Sequence, residues 1–494
     1  MQASPPSDHS SDRHRPAPAP FWALLEEATA AARALERPPA GRQEEEGVLS
    51  LAVPLTPLDP LAALPQLESQ ELEAPSGFRF LWDGAPGLCL AAAGRCNSLE
   101  LSGPRRFALA QRFCSLSLSR LASRPAPCPP LARPRVLLAF AFFDSPLRQG
   151  TGAPGVQAVL PRWQLSRQGG HCWLRLHRVL GGGITARSVA EELWEKARHL
   201  ERCAAAAAAG PAPPLAVGAH GSPWHAGYQA ALEQALALVE SGELRKLVLA
   251  VRQQLTLDAP LDPLQLLAQL RRSQPGSCRF LWQQEGGEAL LGASPERLLS
   301  LRQGQLRSDA LAGTAPWGEP AEGLLRSCKD RHEHELVVDA ISEALLRAGL
   351  TPRHPRHPRL ARHGSLVHLH TPITARLEAD QRLLDLAEAL HPTPAVAGLP
   401  RRQAMAWLRS LEPFERGYYA APIGWIDQEG DADLRVAIRS GLLREGQLEL
   451  TAGAGLVRGS QPGRELQEVA LKLGVLQQQL NLTMEPGRPT AARW

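Results

Sequence analysis

Apolar residues recur along this chain with two periods, and their alternation predicts a mixed α and β fold. Residues 22–35 carry apolar side chains at helical spacing behind a polar N-terminal stretch. From Val48 the pattern becomes strand-like and is broken by prolines. Residues 191–209 read as a helix running into six consecutive alanines, and Gly210-Pro-Ala-Pro-Pro214 then breaks it. Tyr228, Leu232, Leu236 and Val239 next recur on an amphipathic helix ending near Ser241-Gly242. The run Lys246-Leu-Val-Leu-Ala-Val-Arg252 follows as a buried strand. A further helix opens at Ser327 and continues to Leu346, with Glu333, Val337 and Ile341 on one face. These patterns divide the chain into a poorly ordered tail with a short helix (1–45), an N-terminal α/β half (46–215), a C-terminal region (216–482) and a tail (483–494).

A faint repeat crosses that boundary. Arg79-Phe-Leu-Trp82 returns 200 residues later as Arg279-Phe-Leu-Trp282. Each copy leads through a short turn into a small, apolar strand, which suggests two related α/β halves. Only the second copy continues into Ser294-Pro-Glu-Arg297; the first gives Arg95-Cys-Asn-Ser98, without a carboxylate. Any chemistry is therefore expected in the C-terminal half.

Composition narrows the function classes. With 494 residues, 44% hydrophobic, the chain can bury a large core, and a net charge of +4 is slight. The most basic stretch, residues 353–362, lacks interleaved aromatics, so it reads as a solvated, proline-broken loop and not a nucleic-acid site. The longest apolar run, residues 136–143, is too short to span a bilayer. Eight cysteines without Cys-x-x-Cys spacing, and no apolar leader, predict reduced thiols and a cytoplasmic protein. Only four lysines (196, 246, 329, 472) stand against 50 arginines. Lysine alone of the two can lose its proton when buried, so the retained lysines are candidates for chemistry.

Three segments hold candidate carboxylates. Glu296 sits at a proline-fixed turn, where a surface glutamate is the ordinary expectation. Glu333 shares a helix face with core residues, a costly placement unless a cation compensates it. The neighbouring His332 and His334 are two apart and point to different sides, so zinc is disfavoured against an oxygen-ligated hard cation. Glu465, Glu468 and Lys472 stack on one face behind a glycine-rich loop. Taken alone, they read as a solvent-facing ladder of ion pairs.

Read in order, these segments resemble the chorismate-utilising enzymes, specifically the isochorismate synthases. The matching stretches run from Lys246-Leu-Val-Leu-Ala through Gly292-Ala-Ser-Pro-Glu-Arg, Ala310-Leu-Ala-Gly-Thr314, residues 327–338, His391-Pro-Thr-Pro-Ala-Val396, Arg416-Gly-Tyr-Tyr-Ala and Val436-Ala-Ile-Arg-Ser440 to residues 452–472. The resemblance implies an α+β fold like that of anthranilate synthase component I. Two related α/β subdomains with large, mainly antiparallel stacked sheets would be flanked by helices, in a monomer or weak homodimer. It also implies chorismate as substrate, Lys246 as general base and Glu296 as general acid. Glu333 and Glu468, with Glu465 nearby, would hold Mg2+. Gly313, Thr314, His391, Tyr419, Arg439, Gly453, Gly455 and Lys472 would surround the substrate.

Within the family, Ala312 stands where aminodeoxychorismate synthases carry a nucleophilic lysine, and Lys246 where anthranilate synthases typically have glutamine. The His-Pro-Thr-Pro-Ala-Val form favours an isochorismate synthase over a salicylate synthase, the main alternative; a catalytically inactive relative is the other. The long N-terminal extension leans toward the menaquinone or phylloquinone branch. Ala397 and Ala421 replace usual glycines, and Ala375-Arg376 replaces a glycine-containing turn, each adding a side chain near the expected cavity.

Overall fold

In the first Arg-Phe-Leu-Trp copy, alternating large apolar residues make a strand, Arg79–Asp83, and the second copy does the same at Cys278–Gln283. The computed structural model describes residues 20–36, 47–67, 77–84, 86–123, 128–146, 153–206, 217–221, 223–378 and 381–484. The expected N-terminal tail before residue 20, the break at 210–214 and the C-terminal tail from residue 485 lie outside them.

The two copies pair directly and antiparallel. Leu81 faces Leu281, Phe80 faces Trp282 and Trp82 faces Phe280, so the register is symmetric about the leucine pair. From this seam the ladder extends equally to both sides. One side runs through Cys89–Leu101, Val156–Gln168 and His171–Val179 to Val48–Leu55. The other runs through Ala289–Ser294, Ser440–Arg444 and Gln447–Leu456 to Lys246–Leu257. The repeat read from four residues is thus a structural one.

A second arm branches from Val156–Gln168 through Arg135–Phe140, Pro422–Asp427, Ala432–Val436, Arg297–Arg302 and Gln305–Pro316 to Leu366–Arg376. The two arms face each other across an aromatic core. Phe80, Trp82, Phe280 and Trp282 from the first pack with Leu137, Ile423 and Trp425 from the second. All described pairings are antiparallel except Val48–Leu55 with Leu121–Ala122 and Asn481–Met484 with Gly218–Gly221. The expected α+β class with mainly antiparallel, stacked sheets is what the chain adopts.

Helices cover the outer faces. Phe21–Glu36 and Ala186–Ala206 pack together over the N-terminal half. In the C-terminal half, His225–Glu240 and Pro462–Gln477 lie against the paired strands Lys246–Leu257 and Gln447–Leu456. Cys328–Arg347 lies against Gln305–Pro316. It starts where expected because the Ser327 side chain accepts a hydrogen bond from the Asp330 amide. All eight cysteines are free, and no described helix is long and apolar enough to cross a membrane.

Two sequence expectations need correction here. Residues 354–357 do form an exposed loop, but Arg353 bridges to Thr374 and Arg359–His363 is a strand on Leu366–Arg376, so the basic stretch is partly ordered in the sheet. Ala375 and Arg376 are not a turn: they pair in that same strand with Leu306 and Gln305. Ala397 and Ala421 are fully buried within the packing.

Candidate active site

Where the chain passes from one sheet arm to the other, at Ser294-Pro295-Glu296-Arg297, it places Glu296. The turn is pinned from both sides. The Ser294 hydroxyl accepts the Glu296 amide at 3.2 Å and donates to the Val436 carbonyl at 2.6 Å; the Glu296 carbonyl accepts the Val436 amide. Glu296 is only 3% exposed, so it is not the surface-turn residue its segment alone suggested. Burial pushes its carboxyl up to about 8 against the pull of Lys246, Arg439 and Lys472. At neutral pH it holds its proton.

Lys246 begins the strand Lys246–Leu257 and is fully buried. Its Nζ lies 2.9 Å from Glu333 Oε1, yet it has no well-aligned hydrogen-bond acceptor. Glu333 comes from the facing helix, one turn and two turns before Val337 and Ile341, and shares their burial. Burial would raise its carboxyl, but Lys246 and Lys329 beside it hold it below the ordinary value. Gly455 makes this pair sterically attainable: a Cβ there would stand 2.1 Å from Glu333 Oε1 and 3.2 Å from Lys246 Cε.

The last helix contributes Glu465, Glu468 and Lys472. Glu465 is 1% exposed, which overturns the reading of this face as a solvent ladder. Lys472 Nζ reaches Glu468 Oε1 at 2.6 Å and donates to the Gly453 carbonyl at 2.7 Å. Lys329, which motif reasoning passed over, lies 2.9 Å from Glu465. Its side chain is held in the ammonium form: burial opposes that state, but Glu333, Glu465 and Glu468 outweigh it. Its rarity as one of four lysines is the signal that marks it as a candidate in the sequence.

Each carboxylate of the trio therefore faces a lysine: Glu333 with Lys246, Glu465 with Lys329, Glu468 with Lys472. Among the described residues no three acidic, histidine or cysteine groups stand close enough to share an ion as they lie. The donor set nevertheless fits a hard cation. It is all carboxylate oxygen, and both oxygens of buried Glu465 lack an aligned hydrogen-bond donor. Burial, helped by the nearby Glu468 and Glu333, raises the Glu465 carboxyl against the pull of Lys329.

The expected substrate-binding residues divide into two groups. Gly313 is the extra residue of a β-bulge between Ala312 and Thr314, with φ +69°. Its carbonyl accepts from His368 Nδ1 at 3.0 Å; Thr314 Oγ1 is 3.2 Å from the same nitrogen. That bond fixes the tautomer and leaves Nε2 to accept from Arg439 Nη2 at 3.4 Å. Burial and Arg439 keep His368 neutral, well below its usual pKa. Arg439 itself has φ +52°, a strained backbone for arginine. Tyr419, Arg439 and Glu296 interact electrostatically, and burial raises the Tyr419 phenol to about 12. Gly453 backs onto Leu249, whose carbonyl a Cβ would meet at 2.8 Å.

His391 is the exception. Its Nε2 bonds the Phe142 carbonyl at 3.0 Å, and its ring packs between Phe107 and Phe142. It lines a separate cleft with Arg106 and Glu388. Its buried contacts make it a joint between the halves.

The chain matches the family described as chorismate binding enzyme over residues 30–481. It is 42% identical over 261 residues to the salicylate biosynthesis isochorismate synthase of Pseudomonas aeruginosa, covering 51% of this chain and 54% of that protein. It is 38% identical over 250 residues to the isochorismate synthase MenF of Bacillus subtilis, covering 49% and 53%. The matched region thus spans about half the length of these curated relatives. Among solved structures, the menaquinone-specific isochorismate synthase MenF of Escherichia coli superposes with a TM-score of 0.70 at 26% identity, covering 92% of this chain and 99% of that one. Anthranilate synthase component I of Streptococcus pneumoniae, at 19% identity and TM-score 0.62, shares the fold. The chain belongs to the chorismate binding enzyme family.

Proposed function

We propose that this chain is an isochorismate synthase, adding water at C2 of chorismate and releasing the C4 hydroxyl. The observation that carries the reading is one buried site that brings the Lys246 side chain into electrostatic interaction with Glu296, a carboxylic acid that keeps its proton at neutral pH. Lys246 would take a proton from the attacking water, and Glu296 would give one to the departing hydroxyl, so the overall change is an isomerisation. For the amine to act as a base, Glu333 has to turn away from it. Tyr419, Arg439 and Lys472 would face the substrate's carboxylates.

Glu333, Glu465 and Glu468 would hold magnesium, which there would grip the ring carboxylate and offset its charge. Similarity to the menaquinone-specific structure over nearly its whole length supports the quinone branch as the product's destination.

Purified protein supplied with chorismate and magnesium should form isochorismate without pyruvate, and EDTA should abolish the turnover. Pyruvate release would make it a salicylate synthase. No turnover would leave a chorismate-binding protein. Activity unchanged by EDTA would remove the metal from the reading.

A further inference from the structure

Behind the Glu296 turn the sheet assembles a second charged cleft, of about 400 Å³. Five arginines line it: Arg297, Arg307, Arg359, Arg362 and Arg435. Pro295 and Arg297, the neighbours of Glu296 on either side, both belong to its wall.

The sheet register brings like charges together here. Arg297 lies directly opposite Arg435 on the adjacent strand, an arrangement that is destabilising unless negative charge offsets it. Two carboxylates supply part of that charge. Asp309 accepts from Arg297 at 2.8 Å and from Arg307 at 2.9 Å, and Asp433 holds Arg435 at 2.9 Å. Five guanidiniums against two carboxylates leave an excess of three positive charges.

The cleft is also ordered in advance. His370 Nε2 donates to Asp309 at 3.0 Å, so its Nδ1 is the acceptor, and Arg359 Nε fills that position at 3.3 Å. Arg362 stacks on Trp317, 4.4 Å from the ring centroid. What remains open are donors. The Nη groups of Arg359 have no partner among the described residues, and Arg297 Nε is buried 3.9 Å from Asp433 without a hydrogen bond. His363 feels the same surroundings: burial, reinforced by Arg439 and Arg435, lowers it to about 4.

We propose that this cleft binds a small oxyanion carrying at least two negative charges. Oriented guanidinium forks, a concave wall and uncompensated charge are the features that select such a ligand over chloride. The same chemistry could come from a phosphoryl group or from a compact polycarboxylate.

The test is calorimetry on the full chain with inorganic phosphate, pyrophosphate and citrate, each against sodium chloride of equal ionic strength. Saturable binding is expected for at least one of the three, and the tightest identifies the phosphoryl or the carboxylate source. Arg359→Gln and Arg307→Gln together should weaken that binding at least about tenfold. Both side chains are solvent-accessible, Arg307 to 41%, so folding is checked by an unchanged thermal transition in chloride. Arg187→Gln, on a distant exposed helix, should leave binding intact. No binding beyond that of matched chloride, or equal binding by the doubly substituted chain, would overturn the proposal.

Discussion

The two Arg-Phe-Leu-Trp copies begin alike and end differently, and the divergence occurs within a few residues. In the N-terminal half the strand Cys89–Leu101 absorbs an irregularity between Arg95 and Asn97 as a bulge and stays paired with Val156–Gln168 throughout. In the C-terminal half the equivalent strand stops at Ser294, Pro295 turns the chain, and Arg297–Arg302 joins the other sheet arm. A proline cannot donate to a ladder, so the crossing is written into the sequence. The teaching is that one architecture gives a continuous wall on one side and a carboxylic acid at a sheet crossing on the other.

The largest expected effects separate the halves. Lys246→Ala and Glu296→Gln should each lower kcat by about a thousandfold, the scale of a lost proton-transfer group. Arg95→Ala and Asn97→Ala, which flank Cys96, the residue 200 positions before Glu296 in the first copy, should leave it within about twofold. Comparable losses from both sets would mean that the site is not confined to the C-terminal half. The seam itself should behave symmetrically. Leu81→Ala and Leu281→Ala remove fully buried side chains that face each other, and each should cost about 2–5 kcal/mol in denaturant unfolding. Strongly unequal costs would break the symmetry claimed for the seam.

Smaller effects sharpen the chemistry. With Glu296 as the proposed acid, turnover should fall as pH rises through about 8, where its carboxyl loses the proton. The stability linkage has the same direction. A carboxyl raised from 4.5 to about 8 imposes no penalty below 4.5, an increasing one between, and a constant one above. A pH–rate profile in which Glu296→Gln retains the alkaline arm would assign that arm elsewhere. Lys329→Gln removes the counter-charge from Glu465 and should tighten divalent-ion binding about tenfold by calorimetry. Unchanged or weaker affinity would mean that Lys329 does not compete with the ion.

Strand and helix placement was largely legible because apolar periodicity and end signals coincide: Ser327 caps its helix, Gly242 follows the end of another, and Lys246 opens a strand buried on both faces. The repeat was legible as a repeat, but the direct pairing of its two copies was not, since register between distant strands leaves no local mark. Glu296 and Glu465 looked solvent-facing because turn and amphipathic patterns cannot reveal what packs over them. The motif resemblance, not their local pattern, placed them at the site. His391 went the other way. Its motif suggested substrate, whereas its neighbours Phe107 and Phe142 come from the N-terminal half, 249 residues away in the case of Phe142. Lys329 was visible only as a rare residue type.

The buried ion pairs repeat the same contrast. Arg416 and Glu412 are fully buried, and every bond is met: Arg416 reaches Glu412, Val396 and Val248, while Glu412 also accepts from Ala250. That pair holds structure. Lys246 and Glu465 are as deeply buried and each faces an opposite charge at 2.9 Å, but neither makes a well-aligned hydrogen bond there, so these pairs are held less tightly.

Turnover of chorismate in water enriched in oxygen-18 addresses the central assignment most directly. Lys246 acting on water at C2, with Glu296 releasing the C4 hydroxyl, predicts isochorismate with one heavy oxygen on the C2 hydroxyl. Unlabelled isochorismate would mean that the hydroxyl migrates without solvent, and the paired roles of Lys246 and Glu296 would fall with it.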